Sequence, residues 1–241
     1  MRIVILLLGL LGAMASLPAR AGDTAEIEIL GFSADGRVFA FEEYGQMDGA
    51  GFPYSHRFYI DTSNDKFLPG TPIRVTLEDE TASVEEARQR ARIRGERIIR
   101  DAQLASNRGT TVAFNPVTEL SADPFRLVAN PRLVVPPVDA PVEFRLEEIA
   151  MQPPSRCEGL GDIVGMRITR IATAAGARTQ LRHEDQTIPL SRGCPVGYRL
   201  GGLQTFYPDD GGQPVYALLI AIRRFGFEGP DHRWIAATGR L

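Results

Sequence analysis

A chain of 241 residues, 44% apolar and 24% charged, carries enough hydrophobic material for one large or two small packed domains, and that balance excludes a disordered protein. Its formal net charge of −3 excludes the positive excess on which nucleic-acid affinity rests.

Met1-Arg2 gives a short positive start, Ile3 to Leu11 is almost unbroken aliphatic, and Gly12 to Leu17 stays uncharged. Pro18 breaks any helix, and Ala19-Arg20-Ala21 has the small-x-small form that signal peptidase reads. The pattern predicts a cleaved leader over residues 1–21 and a mature chain that begins at Gly22. The apolar run of roughly 15 residues falls short of the ~20 that span a bilayer as a helix, which argues against a retained anchor. The leader lacks a cysteine for lipid attachment, and no later segment is a transmembrane candidate. Loss of Arg2 and Arg20 makes the mature protein more acidic by two. The expected location is periplasmic or secreted.

The predicted elements follow in order. Gly31 to Phe41 reads as strand, tight turn, strand: Ser33 and Asp35 bond the turn's own backbone, and Gly36 accepts the positive φ of the reversal. A strand from His56 to Ile60 follows a glycine loop, Asp61 to Asp65 forms a polar turn, and Ile73 to Leu77 alternates as a half-buried strand. Ser83-Val84-Glu85-Glu86 is a capping box that opens a helix running to about Ala105. Val84, Ala87, Ala91, Ile98, Ala102 and Ala105 give that helix one narrow apolar stripe. Thr110 to Phe114 is a further strand, after which Pro131, Pro136, Pro137 and Pro141 favour extended, edge-like chain. A boundary near residue 138 would divide a region 22–137 from a region 138–241, unless the two form one continuous domain. Strands resume at Val142 to Leu146, Met166 to Ile171, Thr179 to His183 and Leu203 to Tyr207. The unbroken apolar run Val215 to Ile222 predicts a strand buried on both faces, and Trp234 to Thr238 predicts the last. Strands at this spacing without βαβ alternation predict a mainly antiparallel β protein, sandwich-like or an open barrel, with one helix over 83–105.

Cys157 and Cys194 belong to no C-x-x-C pair. In an oxidising compartment the simplest expectation is that they pair with each other. A metal site or a reactive thiol is the alternative, but no histidine stands at ligand spacing from either cysteine.

Phe32-Ser33-Ala34-Asp35-Gly36-Arg37-Val38-Phe39-Ala40-Phe41 resembles the blade motif of TolB-type β-propellers, but a propeller repeats that unit and this chain holds one copy. A wider resemblance rests on Gly31 to Phe41, Phe41-Glu42-Glu43-Tyr44-Gly45, Gly51-Phe52-Pro53-Tyr54-Ser55 and Gly226-Phe227-Glu228-Gly229-Pro230-Asp231. Together these segments resemble the bacterial predicted secreted proteins of domain of unknown function 2259. That likeness implies an exported protein and assigns no activity, cofactor or site residue.

Candidate chemistry is sparse. Gly159-Leu160-Gly161-Asp162-Ile163-Val164-Gly165 departs from a dinucleotide loop in spacing and context, and no cofactor is expected. There is no G-x-S-x-G elbow, and His56, His183 and His232 are scattered, each read as a surface or hydrogen-bonded residue. Asp61, Asn64 and Asp65 offer oxygens, but at no calcium-loop spacing, so no metal is expected. Glu42 and Glu43 are adjacent on a strand and point to opposite faces, so only one is expected to face the core, with Tyr44 near it. A buried carboxylate there would serve as an acid or base. The arginines of the helix are interleaved with Glu85, Glu86, Glu96 and Asp101, which marks a solvated mixed-charge face. Gly226 to Trp234 reads as turn-rich, with Phe225, Phe227 and Trp234 among Glu228, Asp231 and His232, the composition of a ligand rim. The expected function is a non-catalytic module that binds an envelope protein or glycan through Glu42, Glu43, Tyr44, Tyr54, Glu228, Asp231 and Trp234. The alternative is a hydrolase that pairs Glu42 or Glu43 with Glu228 or Asp231.

Overall fold

The computed structural model describes residues 22–241; the expected leader lies outside the described residues. The described residues form three antiparallel sheets. The first contains β1 (Glu26–Phe32), β2 (Val38–Gln46) and β3 (Pro53–Asp61), with β4 (Lys66–Phe67) and β5 (Ile73–Thr76) both paired to β3. The second runs in the order β6 (Thr110–Phe114), β11 (Pro195–Phe206), β12 (Val215–Arg224), β13 (Asp231–Arg240). The third runs in chain order through β7 (Arg126–Ala129), β8 (Val142–Ala150), β9 (Val164–Ile171) and β10 (Gln180–Glu184). Two helices, α1 (Val84–Gly95) and α2 (Asp101–Ala105), lie between β5 and β6. Strands β6 and β7, which precede the proline-rich stretch, pair with β11 and β8, which follow it.

Side-chain alternation stacks these elements into four layers. On β12, Tyr216, Leu218, Ile220 and Ile222 pack with Phe144, Leu146, Met166 and Ile168 of the third sheet. The intervening Val215, Ala217, Leu219 and Ala221 pack with Phe39, Phe41, Phe58 and Ile60 of the first. The second sheet is therefore central, and its apolar run is covered on both faces, as its composition predicts. The first sheet is covered twice as well: Ala40, Tyr59, Ile73 and Val75 on its outer face meet Ala87, Ala91 and Leu104 of the helices. Full burial of each large side chain contributes about 1.5–3 kcal/mol, so the stack rests on its Phe, Leu and Ile contacts. The helix layer, lined by alanine, adds less area and permits close approach.

The hairpin at residues 31–41 forms as its composition dictates. Ser33 Oγ donates to Asp35 Oδ1 at 2.6 Å and accepts from the Val38 amide at 2.9 Å. Gly36 takes φ +71°.

The single helix expected over 83–105 is two helices. α1 ends at Gly95, where an added Cβ would lie 2.1 Å from the Tyr59 hydroxyl and 2.8 Å from Arg57 Nη1. The chain turns tightly over residues 96–100, and Arg100 is extended (φ −69°, ψ 135°) before α2 starts. That break resets the helical phase: Leu104 is buried, while Ala102 and Ala105 of the expected stripe are exposed. The capping box forms by half. Ser83 Oγ accepts from the Glu86 amide at 3.1 Å, but the Glu86 carboxylate pairs with Arg90 one turn on. β11 and β13 also start earlier than the apolar pattern suggests, so Asp231, His232 and Arg233 belong to a strand rather than to a terminal loop.

Candidate functional site

Glu42 and Glu43 are both buried, at 1% and 3% exposure, which corrects the expectation that only one faces the core. Alternation does send them to opposite faces, but each face of the first sheet is covered by another layer. Glu42 points to the helices, where Ser55 Oγ donates to it at 2.8 Å and Arg88 Nε at 3.1 Å. The fully buried Arg57 lies 3.6 Å from Glu42 through Nε and donates through both terminal nitrogens to Asp101, at 2.9 and 2.7 Å. Glu43 points to the central sheet, where the Trp234 amide donates to it at 2.7 Å and His56 Nδ1 lies at 2.9 Å. Glu42 is thus charge-paired and hydrogen-bonded, and Glu43 is hydrogen-bonded through both oxygens, so neither is buried without partners.

The remaining predicted residues divide among three places. Tyr44 stays with Glu42, its ring 3.9 Å beneath the Arg88 guanidinium and its hydroxyl donating to Glu26. The interior position of Arg88 departs from the solvated face expected of the helix; its place beside the Ala87–Ala91 stripe was the available signal. Tyr54, Asp231 and Trp234 join Glu43 in a seam between β13 and the start of the first sheet. Tyr54 donates to Asp23 Oδ1 at 3.1 Å, Arg233 pairs with the same carboxylate, and Asp231 Oδ1 accepts from the Asp23 amide at 3.1 Å. Burial pushes the Tyr54 phenol up, and it pushes the Asp23 carboxyl up against the pull of Arg233. Trp234 is buried, and its indole N–H donates to the Ala25 carbonyl at 3.0 Å. Glu228 stands apart and exposed, with its amide donating to Asp48. Asp61 and Asp65 are also occupied, Asp61 by the neighbouring Ser63 and Asp65 by Thr238 of β13.

Beyond the seam lies a cleft of about 490 Å³ over the ends of β11, β12 and β13, walled by Val117, Pro124 and Phe125 from the segment after β6. Strand register builds its polar side. Gly197 faces Arg223 and Arg199 faces Ala221 across β11 and β12, and Arg223 faces His232 across β12 and β13. Gly197 leaves room for this arrangement, because a Cβ there would stand 3.0 Å from Arg223 Nη2 and 3.2 Å from Glu148 Oε1. Arg199 donates to the carbonyls of Val117 and Glu119, both at 3.1 Å, and so fixes the wall segment to the strand. Among the described residues neither Arg199 nor Arg223 forms an ion pair, and Arg199 Nε and His232 Nδ1 are buried without partners. Burial, reinforced by Arg223 and Arg199, holds the His232 imidazole below its ordinary pKa, so it is neutral at pH 7. His56 and His183 have hydrogen-bond partners in Glu43 and Asp185, whereas the His232 ring departs from that expectation. Sequence reading marked His232 but passed over Phe125, Arg199 and Arg223, which meet only through strand register.

Cys157 and Cys194 are joined, as the export argument expects. The bond ties the short turn Ser155–Cys157 to the residue before β11, the strand that carries Gly197 and Arg199. The Cys194 carbonyl accepts from the Phe225 amide at 2.9 Å, which holds the ends of β11 and β12 together beside the cleft.

Among the described residues no helix is long and apolar enough to cross a membrane. A family model described as "Predicted secreted protein (DUF2259)" matches residues 40–240. No curated protein and no solved structure matched the chain.

Proposed function

Since this chain belongs to the predicted secreted protein family DUF2259, we propose that it is a non-catalytic binding module of the bacterial envelope, periplasmic or released, whose ligand sits in the cleft beside Phe125. One observation carries the reading: the cleft joins an apolar wall to polar groups left without protein partners, the usual composition of a ligand seat. Phe125 is 41% exposed there although it is large and apolar. Of the carboxylates that a hydrolase would use, the exposed Glu228 stands away from this cleft and the others are engaged. Glu42, Glu43 and Asp231 hold layers together, and none of them lines this cleft.

Native mass spectrometry of the protein isolated from its secreting cells tests the proposal. The expected result is a bound small molecule that leaves on denaturation and is absent from Phe125→Ala. An adduct retained by that variant but lost from Glu43→Gln would place the ligand at the buried seam and defeat the proposal.

A further inference from the structure

Resting on that reading of the cleft, the geometry points to an acidic saccharide as its ligand, with Arg223 receiving the sugar's carboxylate, Arg199 adding positive charge while it holds the wall, and Phe125 packing against the ring. Three observations carry the inference. The first is charge. The protein is net negative, yet this cleft is lined by two guanidinium groups that form no ion pair among the described residues. They are Arg199, whose terminal nitrogens hold the wall carbonyls, and the exposed Arg223, which donates through Nη2 to the Val196 carbonyl at 3.1 Å. The one carboxylate of the lining, Glu148, already accepts through Oε1 from the Tyr198 amide at 2.7 Å. The lining carries two positive charges against one negative, and the His232 imidazole beside Arg223 stays uncharged. A carboxylate entering here gains charge-assisted hydrogen bonds from planar donors suited to it.

The second observation is the wall. Phe125, Pro124 and Pro230 offer flat apolar faces at the rim, on which the C–H face of a pyranose can rest. A bare inorganic anion would leave that wall unused.

The third observation excludes the competing class, an acidic peptide added as a strand. Such a peptide requires a free row of main-chain donors and acceptors. β6 pairs with β11 only from Gly202 onward, so the edge of β11 at residues 195–201 would be the place to add one. That edge is already stoppered. The Tyr198 amide donates to Glu148, the Leu200 amide donates to the Pro124 carbonyl at 2.7 Å, and the Gly201 carbonyl accepts from the Asn115 amide at 2.7 Å. The cleft therefore recognises side groups and ring faces rather than main chain.

Isothermal titration of the mature protein with a trimer of galacturonic acid, its methyl ester and pentaglutamate tests this. Arg223→Gln and Phe125→Ala change exposed side chains, and each is first shown to melt like the parent. The expected result is binding of the free-acid trimer, lost on esterification, weakened at least tenfold in Arg223→Gln and in Phe125→Ala, and weakened less in Arg223→Lys, which keeps the charge but not the planar donors. Raising the salt concentration should weaken it further. Equal binding of acid and ester, with loss in Phe125→Ala, would overturn the acidic ligand while leaving the cleft as a binding site. Trimer binding unchanged by both variants would remove the cleft reading as well. Pentaglutamate bound through Arg223 in place of the trimer would overturn the saccharide, as would no response to any of the three probes.

Discussion

Arg57→Leu is expected to destabilise the protein by roughly 3–5 kcal/mol, the cost of breaking a buried ion pair from one side. Arg57 has no exposed surface and is the largest fully buried side chain of the fold. It joins β3 to the start of α2 through the paired contact with Asp101, and it faces Glu42 across the strand. Leucine fills part of the volume but leaves Asp101 with Arg92 alone and Glu42 with Arg88 and Ser55. Equilibrium denaturation should show the midpoint falling while the slope is kept, because the change is in stability rather than in compactness. Arg90→Leu is the control. It removes an exposed i, i+4 pair with Glu86 and should cost less than about 1 kcal/mol. Equal effects of the two substitutions would mean that the network beneath the helices does not hold them.

The second large effect belongs to the disulfide. Cys157 and Cys194 are separated by 37 positions, and closing a loop of that length restricts the unfolded chain by about 4 kcal/mol in the chain-entropy estimate. For a protein of this size that corresponds to a melting temperature lower by roughly 10 °C in the Cys157→Ala/Cys194→Ala double variant, or in the parent under reductant. The loss should be felt at the cleft too, because the bond secures the end of β11 that carries Gly197 and Arg199. Two titratable thiols in the native exported protein would contradict this account.

Local chemistry made much of the fold legible. The Ser33-Asp35-Gly36 turn and the limits of β6 follow from a few adjacent residues, and the unbroken apolar run of β12 announced its double burial. That same run implied a layer on each side of its sheet, and hence more than a two-sheet sandwich. Glu42 and Glu43 depart from the expected single burial for a related reason: alternation gives the direction of a side chain but not what covers the face it meets. The helix break was hidden because Gly95 ends α1 for a non-local cause, the approach of Tyr59 and Arg57 from β3. The cleft was the least legible feature. Arg199, Arg223 and His232 come from three strands whose register is set in part by irregularities near Gly197 and Gly202, and the Phe125 wall arrives from before the proline-rich stretch. Nothing in their spacing along the chain marks them as neighbours.

Amide hydrogen exchange of the mature protein, recorded with and without the galacturonic acid trimer, separates the cleft from the buried carboxylates in one experiment. The account predicts slowed exchange confined to residues 117–125, 197–199, 221–223 and 231–232, with the amides of Glu42, Glu43 and Glu228 unchanged. Protection centred on β2 and on the loop at Glu228, with the cleft unaltered, would contradict it.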